Sequence, residues 1–321
     1  MDKTDNIKNI GLGEAITDYF IVRWIELRHY DGKPYLAMEL SCSRGRIKAS
    51  YWGEDAEKFA SKISEGDILK VQARGTDYRG QRWLKIENMR KAKPDEISPQ
   101  ELLPRGKYSP KILWARLKKL INSIKNPYMK QLLEKVFLSD RDFAKKFATY
   151  PAAKLWHGAY TTGLLEHTLR VAKLCDVAST FYPDCRRELL ITGALLHDVG
   201  KVDEITIEGF FDYSTKGRLV GHITLGIMRI ERAISEIKNF PPERADEIFH
   251  LVVSHHGTGE MGSPVPPKTL EAMILHHADM LDAQSEGIQH IIERDIPRGE
   301  DFSEFIKILG RFIYLAGYRN D

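Results

Sequence analysis

Hydrophobic and polar positions change their spacing near residue 93, and this change predicts two kinds of structure. In the N-terminal part, short runs rich in β-branched and aromatic residues alternate with turn signals at 31–34 (DGKP) and 43–45 (SRG). This pattern predicts five strands. A helical spacing of apolar residues over 54–62 predicts one short helix between the third and fourth strands.

A different spacing follows a proline-rich stretch. Residues 93–110 contain four prolines and no sustained periodicity, which is typical of a linker. Beyond it, apolar residues recur every three or four positions, which predicts helices. The clearest of these helices are expected over 111–123, 128–138, 140–148, 245–253 and 302–315. We expect the last one to contribute either to the core or to an oligomer contact.

The chain is therefore expected to be a multidomain protein of both α and β structure. Its predicted parts are an N-terminal β-domain over 11–92, a linker over 93–110 and an all-helical bundle over 111–315. Five strands with a helix between the third and fourth resemble the OB-fold, a small β-barrel that often binds oligonucleotides.

Aromatic and basic residues are interleaved along the predicted barrel. Stacking surfaces and cations are what single-strand binding requires. Exposed aromatic residues are expected at Tyr30, Tyr35, Tyr51, Trp52, Tyr78 and Trp83. The set chosen as the nucleic-acid-binding site is Tyr35, Lys48, Trp52, Tyr78, Arg79 and Trp83. The alternative for any one of these aromatics is a place in the barrel core, but for the whole domain we favour binding of single-stranded nucleic acid.

Composition narrows the classes of protein that remain. The chain of 321 residues has a formal net charge of only +3, so nucleic acid must be contacted through local basic patches. Three cysteines without paired spacing exclude a disulfide framework and a zinc knuckle. An apolar signal core and apolar runs of 18 residues are both missing, which predicts a cytoplasmic protein without a membrane contact.

The stretch 195–201 (LLHDVGK) carries the first candidate chemistry. His197 and Asp198 stand side by side at the end of an apolar run. Imidazole and carboxylate are good ligands for divalent metals outside thiolate sites. The two side chains are placed so that they can hold one metal ion together. Alternatively, one oxygen of the carboxylate can bridge two metal ions. The alternative is an ordinary helix C-terminus, with a histidine near the dipole and a capping glycine.

The other histidines make the metal interpretation the stronger one. Their order along the chain resembles the HD superfamily of metal-dependent phosphohydrolases, whose defining ligands match His167, His197, Asp198 and Asp279. His222 and His255 match those members of the superfamily that hold a second ion, with Asp198 then bridging the two.

Several further side chains have open assignments. Lys201 is expected to add a cation to a substrate phosphate, with a role at the helix dipole as the alternative. His256 is expected either to bind metal or to touch the phosphate. His276, three residues before Asp279, is expected to orient that carboxylate. His157 reaches the pocket or has a structural role. The proposed catalytic residues are thus Asp198, Lys201 and His256.

A closer resemblance covers most of the chain, from about Gly11 to Ala283. The segments that carry it are 163–168 (GLLEHT), 193–201 (GALLHDVGK), 217–222 (GRLVGH), 254–257 (SHHG) and 262–272 (GSPVPPKTLEA). With an OB-like domain ahead of them, they resemble the YhaM family of bacterial exoribonucleases. The resemblance implies 3′-5′ hydrolysis of single-stranded RNA to nucleoside 5′-monophosphates by a homo-oligomer, with single-stranded DNA left open as a second substrate. It also implies two divalent ions, with Mn²⁺ favoured over Mg²⁺, Fe²⁺, Co²⁺ or Ni²⁺.

Two other functions compete with this one. Nucleotide phosphohydrolases and cyclic-dinucleotide phosphodiesterases belong to the same superfamily, and the latter share a double histidine such as His255-His256. The residues that follow, 257–262 (GTGEMG), lack the Gly-Tyr-Pro signature of that group. A non-catalytic adaptor that binds single strands is the third hypothesis, and the complete ligand set speaks against it.

Overall fold

The structure, a computed structural model, describes most of the chain in two compact units. The described residues are 6–78, 80–154, 156, 158–207, 210–296 and 299–319. The first unit holds the described residues up to Arg105 together with Phe210, and the second holds 106–207 and the residues from Phe211 onward. The boundary between the units at 105–106 falls within the predicted linker of 93–110.

The first unit is a closed barrel of five strands. The strands are β1 (Ala15–Tyr30), β2 (Lys33–Cys42), β3 (Gly45–Tyr51), β4 (Ile68–Tyr78) and β5 (Gln81–Lys91). Their order around the barrel is β1-β2-β3-β5-β4, and β1 closes it by pairing with β4. Only the β3–β5 pair is parallel. Helix α1 (Ala56–Ala60) connects β3 to β4, so the predicted OB-fold is confirmed.

The barrel closes because alternate residues of each strand point inward. Phe20, Leu36, Leu69 and Leu84 come from four different strands and are fully buried in one core. Tyr51 belongs to this core as well and is 8% exposed, so the prediction that it is an exposed stacking residue is wrong. It lies opposite Leu36 on the inward face of β3, where burial of its ring outweighs a role at the surface.

The second unit is built from ten helices and one short hairpin in the described part of the chain. The helices are α2 (Pro110–Ser123), α3 (Pro127–Leu138), α4 (Arg141–Thr149), α5 (Gly163–Ser179), α6 (Arg187–Leu196), α7 (Lys201–Glu204), α8 (Thr215–Val220), α9 (His222–Ser235), α10 (Pro242–Ser254) and α11 (Leu270–Asp295). The hairpin consists of β6 (Ile205–Ile207) and β7 (Phe211–Tyr213). The bundle is therefore helical, as predicted, apart from this hairpin.

Helix α6 lies at the centre of the bundle. All of its residues from Leu189 to Leu196 are buried, which explains why the sequence there is apolar on every side. It packs against α3, α5, α10 and α11. The chain leaves this apolar helix at His197, so the two polar residues that follow are delivered into the middle of the unit.

The C-terminal segment differs from the prediction. Residues 302–315 form turns and isolated bridges, Phe302 with Tyr314 and Ile306 with Arg311, so the predicted helix is wrong. Gly310 at φ +63° makes the tight reversal between the bridged residues. The apolar residues that suggested a helix divide between a small core against the end of α11 and solvent.

In the described part of the chain, the helices are too short or too polar to cross a membrane.

Candidate functional site

Asp198 is the central side chain of the helical unit. It follows the last residue of α6 by two positions, within a turn over 197–200 that precedes α7. The His197 N–H donates to the Gly193 carbonyl and continues the helical hydrogen bonding by one residue. Asp198 is only 1% exposed and His197 is fully buried. A carboxylate in such a position requires partners of opposite charge or a metal.

A first ligand group lies on one side of Asp198. The Nε2 atoms of His167, on α5, and His197 are 3.3 Å apart, and Asp279 Oδ1, on α11, is 3.1 Å from His167 Nε2. Two ligand atoms about 2.1 Å from one ion lie roughly 3 Å apart, so this spacing suits a shared metal. The three ligand atoms all lie within 4.8 Å of one another.

A second ligand group lies on the other side. It consists of His222, the first residue of α9, with His255 and His256 at the end of α10. One nitrogen of each ring lies within 4.8 Å of the others. His222 is more than thirty positions away from the adjacent pair His255 and His256, and the packing of α9 against α10 brings them together.

The Asp198 carboxylate faces both groups. Its Oδ2 is 3.2 Å from His197 Nε2 and 3.5 Å from His167 Nε2. Its Oδ1 is 3.6 Å from His222 Nε2 and 3.8 Å from His255 Nε2, both too long for hydrogen bonds. One oxygen is thus directed at each group, which is the arrangement that a bridging carboxylate needs.

Orphaned polar atoms give a direct test of whether these residues fit a metal pair. Asp198 Oδ1, His222 Nε2 and His255 Nε2 are buried and make no hydrogen bond to any residue in the described part of the chain. Leaving three such atoms unsatisfied in a folded core is costly. All three face the space around Asp198, so the donor set fits divalent ions.

The other ring nitrogen of each histidine is held by an acceptor. His197 Nδ1 lies 2.8 Å from the Ala194 carbonyl, and His255 Nδ1 lies 2.6 Å from the Val252 carbonyl. His256 Nδ1 lies 2.9 Å from the Met261 carbonyl. These acceptors favour the tautomer with the proton on Nδ1, so that each Nε2 lone pair is available to a metal.

Two carboxylates that the sequence analysis did not identify hold the Nδ1 atoms of the two remaining histidines, His167 and His222. Asp282 Oδ2 is 2.7 Å from His167 Nδ1, and Glu204 Oε1 is 3.1 Å from His222 Nδ1. Glu204 also accepts the His222 backbone N–H at 3.0 Å. The spacing of Asp282, one helical turn after Asp279, is the sequence signal that would have found it.

His276 has a different partner from the one expected. Its Nδ1 lies 2.8 Å from the His255 carbonyl, so the expectation that it orients Asp279 is wrong. It supports the backbone of the second ligand group instead. Gly257 leaves the room for this contact, because a Cβ there would lie 2.3 Å from the His276 ring. His157 lies outside the described residues.

The charged groups of the site shift the pKa values of their neighbours. Burial by itself would raise the pKa of Asp198, but Lys201 and His197 outweigh it and hold that pKa well below its usual range. Burial would lower the pKa of His167, but hydrogen bonds with Asp198, Asp279 and Asp282 raise it well above 6.5. For His255 and His256, burial and the neighbouring imidazoles lower the pKa.

Lys201 is paired with Asp198. Its Nζ is 2.6 Å from Asp198 Oδ2, and its side chain is 10% exposed. Burial would lower the pKa of Lys201, yet Asp198 and Asp279 raise it, so the side chain is cationic. The lysine thus brings one positive charge to the edge of the carboxylate.

These pKa directions predict that metal uptake releases protons. In the metal-free protein His167 stays protonated to a higher pH than a free histidine, and an imidazolium cannot bind metal. We therefore expect the affinity for Mn²⁺ to rise with pH until His167 has lost its proton. Calorimetric titration of Mn²⁺ in two buffers with different ionisation enthalpies measures the release. Equal heats in both buffers would contradict the prediction.

The outer face of the barrel carries two aromatic pairs. Tyr35 and Trp52 are stacked, with ring centroids 4.2 Å apart at an interplanar angle of 9°. Tyr78 and Trp83 meet edge to face at 5.3 Å. Lys48, the strand partner of Trp83, holds its ammonium 5.6 Å from the Trp83 ring. The structure thus brings together five of the six predicted contact residues in two clusters, and Arg79 lies outside the described residues.

Known proteins resemble both parts of the chain. A family model described as "HD domain" matches residues 164–284. A protein named "3′-5′ exoribonuclease YhaM" from Halalkalibacterium halodurans is 32% identical over 93% of this chain and 92% of its own length. Its namesake from Bacillus subtilis is 30% identical over 94% of this chain and 95% of its own length.

A solved OB domain from Thermoplasma acidophilum is 18% identical to this chain, with a TM-score of 0.24. The match covers 29% of this chain and 89% of the solved one, and the fold assigned above does not depend on it. The alignments with the two exoribonucleases cover more than nine-tenths of this chain, and therefore include both units. The chain belongs to the YhaM family of 3′-5′ exoribonucleases.

Proposed function

We propose that this protein is a metal-dependent 3′-5′ exoribonuclease, which hydrolyses single-stranded RNA to nucleoside 5′-monophosphates, with single-stranded DNA as an alternative substrate. The observation that carries the proposal is the Asp198 carboxylate, buried between two groups of metal ligands with one oxygen directed at each. The named activity of the relatives, which match nearly the whole chain, agrees with this chemistry.

Two divalent ions are proposed for the site. His167, His197 and Asp279 would hold one, His222, His255 and His256 the other, and Asp198 would contact both. When bound, such a pair supplies an acidified water and positive charge at the phosphodiester. Mn²⁺ is the proposed ion, with Mg²⁺, Fe²⁺, Co²⁺ and Ni²⁺ as alternatives, since imidazole and carboxylate ligands accept all of them.

The protein's own side chains have separate tasks in this proposal. Asp198 fixes the spacing of the two ligand groups because its two oxygens face them separately. Lys201 compensates the buried carboxylates and adds a cation near the phosphate. His256, half-buried with its Nδ1 held by the Met261 carbonyl, is assigned as a ligand rather than as a contact to the phosphate.

The barrel, predicted as the domain over 11–92, is proposed to capture the strand. Its two aromatic clusters are separated along the strands by about four residues, which at roughly 3.3 Å per residue is about 13 Å. Lys48 lies on the outward face within the second cluster, as the strand partner of Trp83. Bases that stack on aromatic rings and phosphates that meet lysines are held without regard to sequence, as an exonuclease requires.

Replacing Trp52 tests this role of the barrel. We expect Trp52→Ala to weaken binding of single-stranded RNA about tenfold, because one stacked base contributes about 1–3 kcal/mol. The turnover number on saturating RNA should stay unchanged. Fluorescence anisotropy of a labelled oligonucleotide measures the affinity. Phe181→Ala, an exposed aromatic of the helical unit, is the matched control and should bind as the wild type does.

Time-resolved digestion of a 5′-labelled single-stranded RNA tests the proposed function as a whole. With Mn²⁺ the label should move stepwise through shorter products, and a chelator should stop the reaction completely. Nucleoside triphosphates and cyclic dinucleotides are assayed in parallel. Metal-dependent cleavage of those molecules without shortening of the RNA would overturn the proposal in favour of a nucleotide phosphohydrolase, and bound RNA without any product would favour an adaptor.

We further propose that the enzyme acts in the cytoplasm as a homo-oligomer. Cys42, Cys175 and Cys185 are all free, as expected in a reducing compartment. Large apolar side chains of the C-terminal segment are exposed, among them Phe305, Ile308 and Phe312 at more than half of their surface, and exposed patches of this kind favour association. Light scattering on the purified protein measures the oligomeric state.

A further inference from the structure

A charged network lies behind His167, on the side away from Asp198. Its centre is Arg170, one turn after His167 on α5. Facing it from α11 are Asp282 and Glu286, which lie one and two turns after the ligand Asp279. Helices α5 and α11 pack against each other along this line. Each helix thus presents a metal ligand and, further along the same face, a charged residue that supports it.

Arg170 binds the Asp282 carboxylate through two hydrogen bonds. Its Nε donates to Asp282 Oδ1 at 2.6 Å, and its Nη2 donates to Asp282 Oδ2 at 3.1 Å. Such a fork fixes both the position and the plane of a carboxylate. Asp282 is 7% exposed, so solvent contributes little to its orientation.

Three more groups hold the guanidinium itself in place. Arg170 Nη1 donates to Glu166 Oε1 at 3.1 Å, and Nη2 contacts Glu286. Glu286 in turn accepts a hydrogen bond of 2.8 Å from the Tyr160 hydroxyl. Arg170 therefore has little freedom to move away from Asp282, although its side chain is one-third exposed.

Asp282 Oδ2, which accepts the hydrogen bond from Arg170 Nη2, is also the oxygen that contacts His167. Asp282 Oδ2 lies 2.7 Å from His167 Nδ1. The chain of contacts Arg170–Asp282–His167 thus ends on a ring whose Nε2 lies 3.1 Å from Asp279 and 3.3 Å from His197 Nε2. Rotation of the Asp282 carboxylate would let this ring turn and spoil the first ligand group.

Arg170, Asp282 and Glu286 make no direct contact with the second ligand group among the contacts of the described residues. The two ligand groups are linked through Asp198, whose Oδ2 is 3.5 Å from His167 Nε2 and whose Oδ1 is 3.6 Å from His222 Nε2. In the second group Glu204 holds His222, and backbone carbonyls hold His255 and His256. A change at Arg170 should therefore act mainly on the ion held by His167, His197 and Asp279, with a much smaller effect on the other ion of the proposed pair.

From these contacts we propose that Arg170 is a positioning residue, which holds His167 through Asp282 and thereby sets the affinity of the ion bound by His167, His197 and Asp279. This inference rests on the proposed metal pair. Groups that hold a metal-binding histidine from behind typically change metal affinity by about 10- to 100-fold when they are replaced. Arg170 acts one contact further out, so a loss of about tenfold is expected.

Titration of the metal-free, full-length protein with Mn²⁺ tests the inference, with free Mn²⁺ followed by its electron paramagnetic resonance signal. The wild type should bind two ions. Arg170→Gln should weaken one binding step about tenfold and leave the other within about twofold. Arg170→Lys keeps the charge but loses the fork, so it should behave like Arg170→Gln. Arg187→Gln is the matched control, an ion-paired arginine of similar exposure on α6, and should bind both ions normally.

Two backgrounds identify the ion that is affected. In His255→Ala, which spoils the second group, Arg170→Gln should still weaken the remaining ion about tenfold; in His167→Ala it should have no further effect. Should Arg170→Gln fail to fold, Glu286→Gln, which removes one support of the guanidinium, should weaken the same step by a smaller factor.

Specific outcomes would overturn the inference. They are unchanged Mn²⁺ binding in Arg170→Gln, equal weakening of both steps, or full recovery of affinity in Arg170→Lys. A wild type that binds no Mn²⁺ would instead refute the proposed metal pair itself, so the two failures are distinguishable.

Discussion

Asp198→Asn should lower the turnover number on single-stranded RNA about a thousandfold, because the loss of about 4 kcal/mol of charge stabilisation in the transition state corresponds to that factor. Asparagine keeps the shape of the side chain but replaces one carboxylate oxygen with an NH₂ group, which cannot bind a metal. Since Oδ1 and Oδ2 face different ligand groups, either orientation of the amide disables one of them. Rates of release of labelled mononucleotides measure the effect.

Binding of RNA by the Asp198→Asn variant should be nearly unchanged, since the aromatic clusters belong to the other unit. We expect the variant to fold, because the cationic Lys201 still has two negatively charged neighbours, Asp279 and Glu204. Asp176→Asn is the control: this carboxylate on α5 pairs with Arg187 and has no contact with the ligand groups. A turnover above a tenth of the wild-type value in Asp198→Asn would contradict the bridging role.

Much of the fold follows from local patterns. The helices predicted over 128–138 and 140–148 are present as α3 and α4, and the side chains of Asn126 and Asp140 accept hydrogen bonds from the first backbone N–H groups of these helices. Runs of β-branched and aromatic residues between turn signals predict the barrel strands equally well. In both cases the structure of an element depends on residues within that element, so the local sequence is sufficient to predict it.

The ligand residues were predictable for another reason. His197 and Asp198 sit at the end of an apolar helix, where polar side chains need a function or a partner, and the remaining ligands follow from the family resemblance. The structure places His167 and Asp279 in one group, and His222 and His255 in a second group on the other side of Asp198. Their assignment as metal ligands stays a prediction until metal binding is measured.

Features set by distant contacts were not predictable. The periodicity of 302–315 suits a helix, but the segment lies against the end of α11 and reverses at Gly310, so tertiary contacts decide its structure. Tyr51 alternates with its strand neighbours like any other residue, and only the closure of the barrel decides that it points inward. The spacing of Asp282 from Asp279 places both carboxylates on one face of α11, but only the packing of α5 on α11 decides that His167 is the residue that Asp282 holds.

Gly200→Ala should lower the turnover number about a hundredfold, since a displacement of about 1 Å at a catalytic site can have this effect. Gly200 has an ordinary φ of −70°, so its backbone tolerates alanine, but a Cβ there would lie 1.9 Å from the His222 carbonyl oxygen and 2.6 Å from the Gly226 nitrogen. Both atoms belong to the backbone of α9 and cannot rotate away. The start of α9 must therefore move, and it carries His222 with it.

The added methyl group should also destabilise the fold by about 1–3 kcal/mol through overpacking, which thermal unfolding measures. Gly226→Ala is the matched control on the other side of the same contact. A Cβ at Gly226 would meet its nearest neighbour at an ordinary 3.5 Å, and alanine is favoured over glycine within a helix by about 1 kcal/mol. We therefore expect Gly226→Ala to keep full activity and an equal or higher unfolding temperature. If Gly200→Ala behaved in the same way, close contact between the 197–200 turn and α9 would not be what places His222.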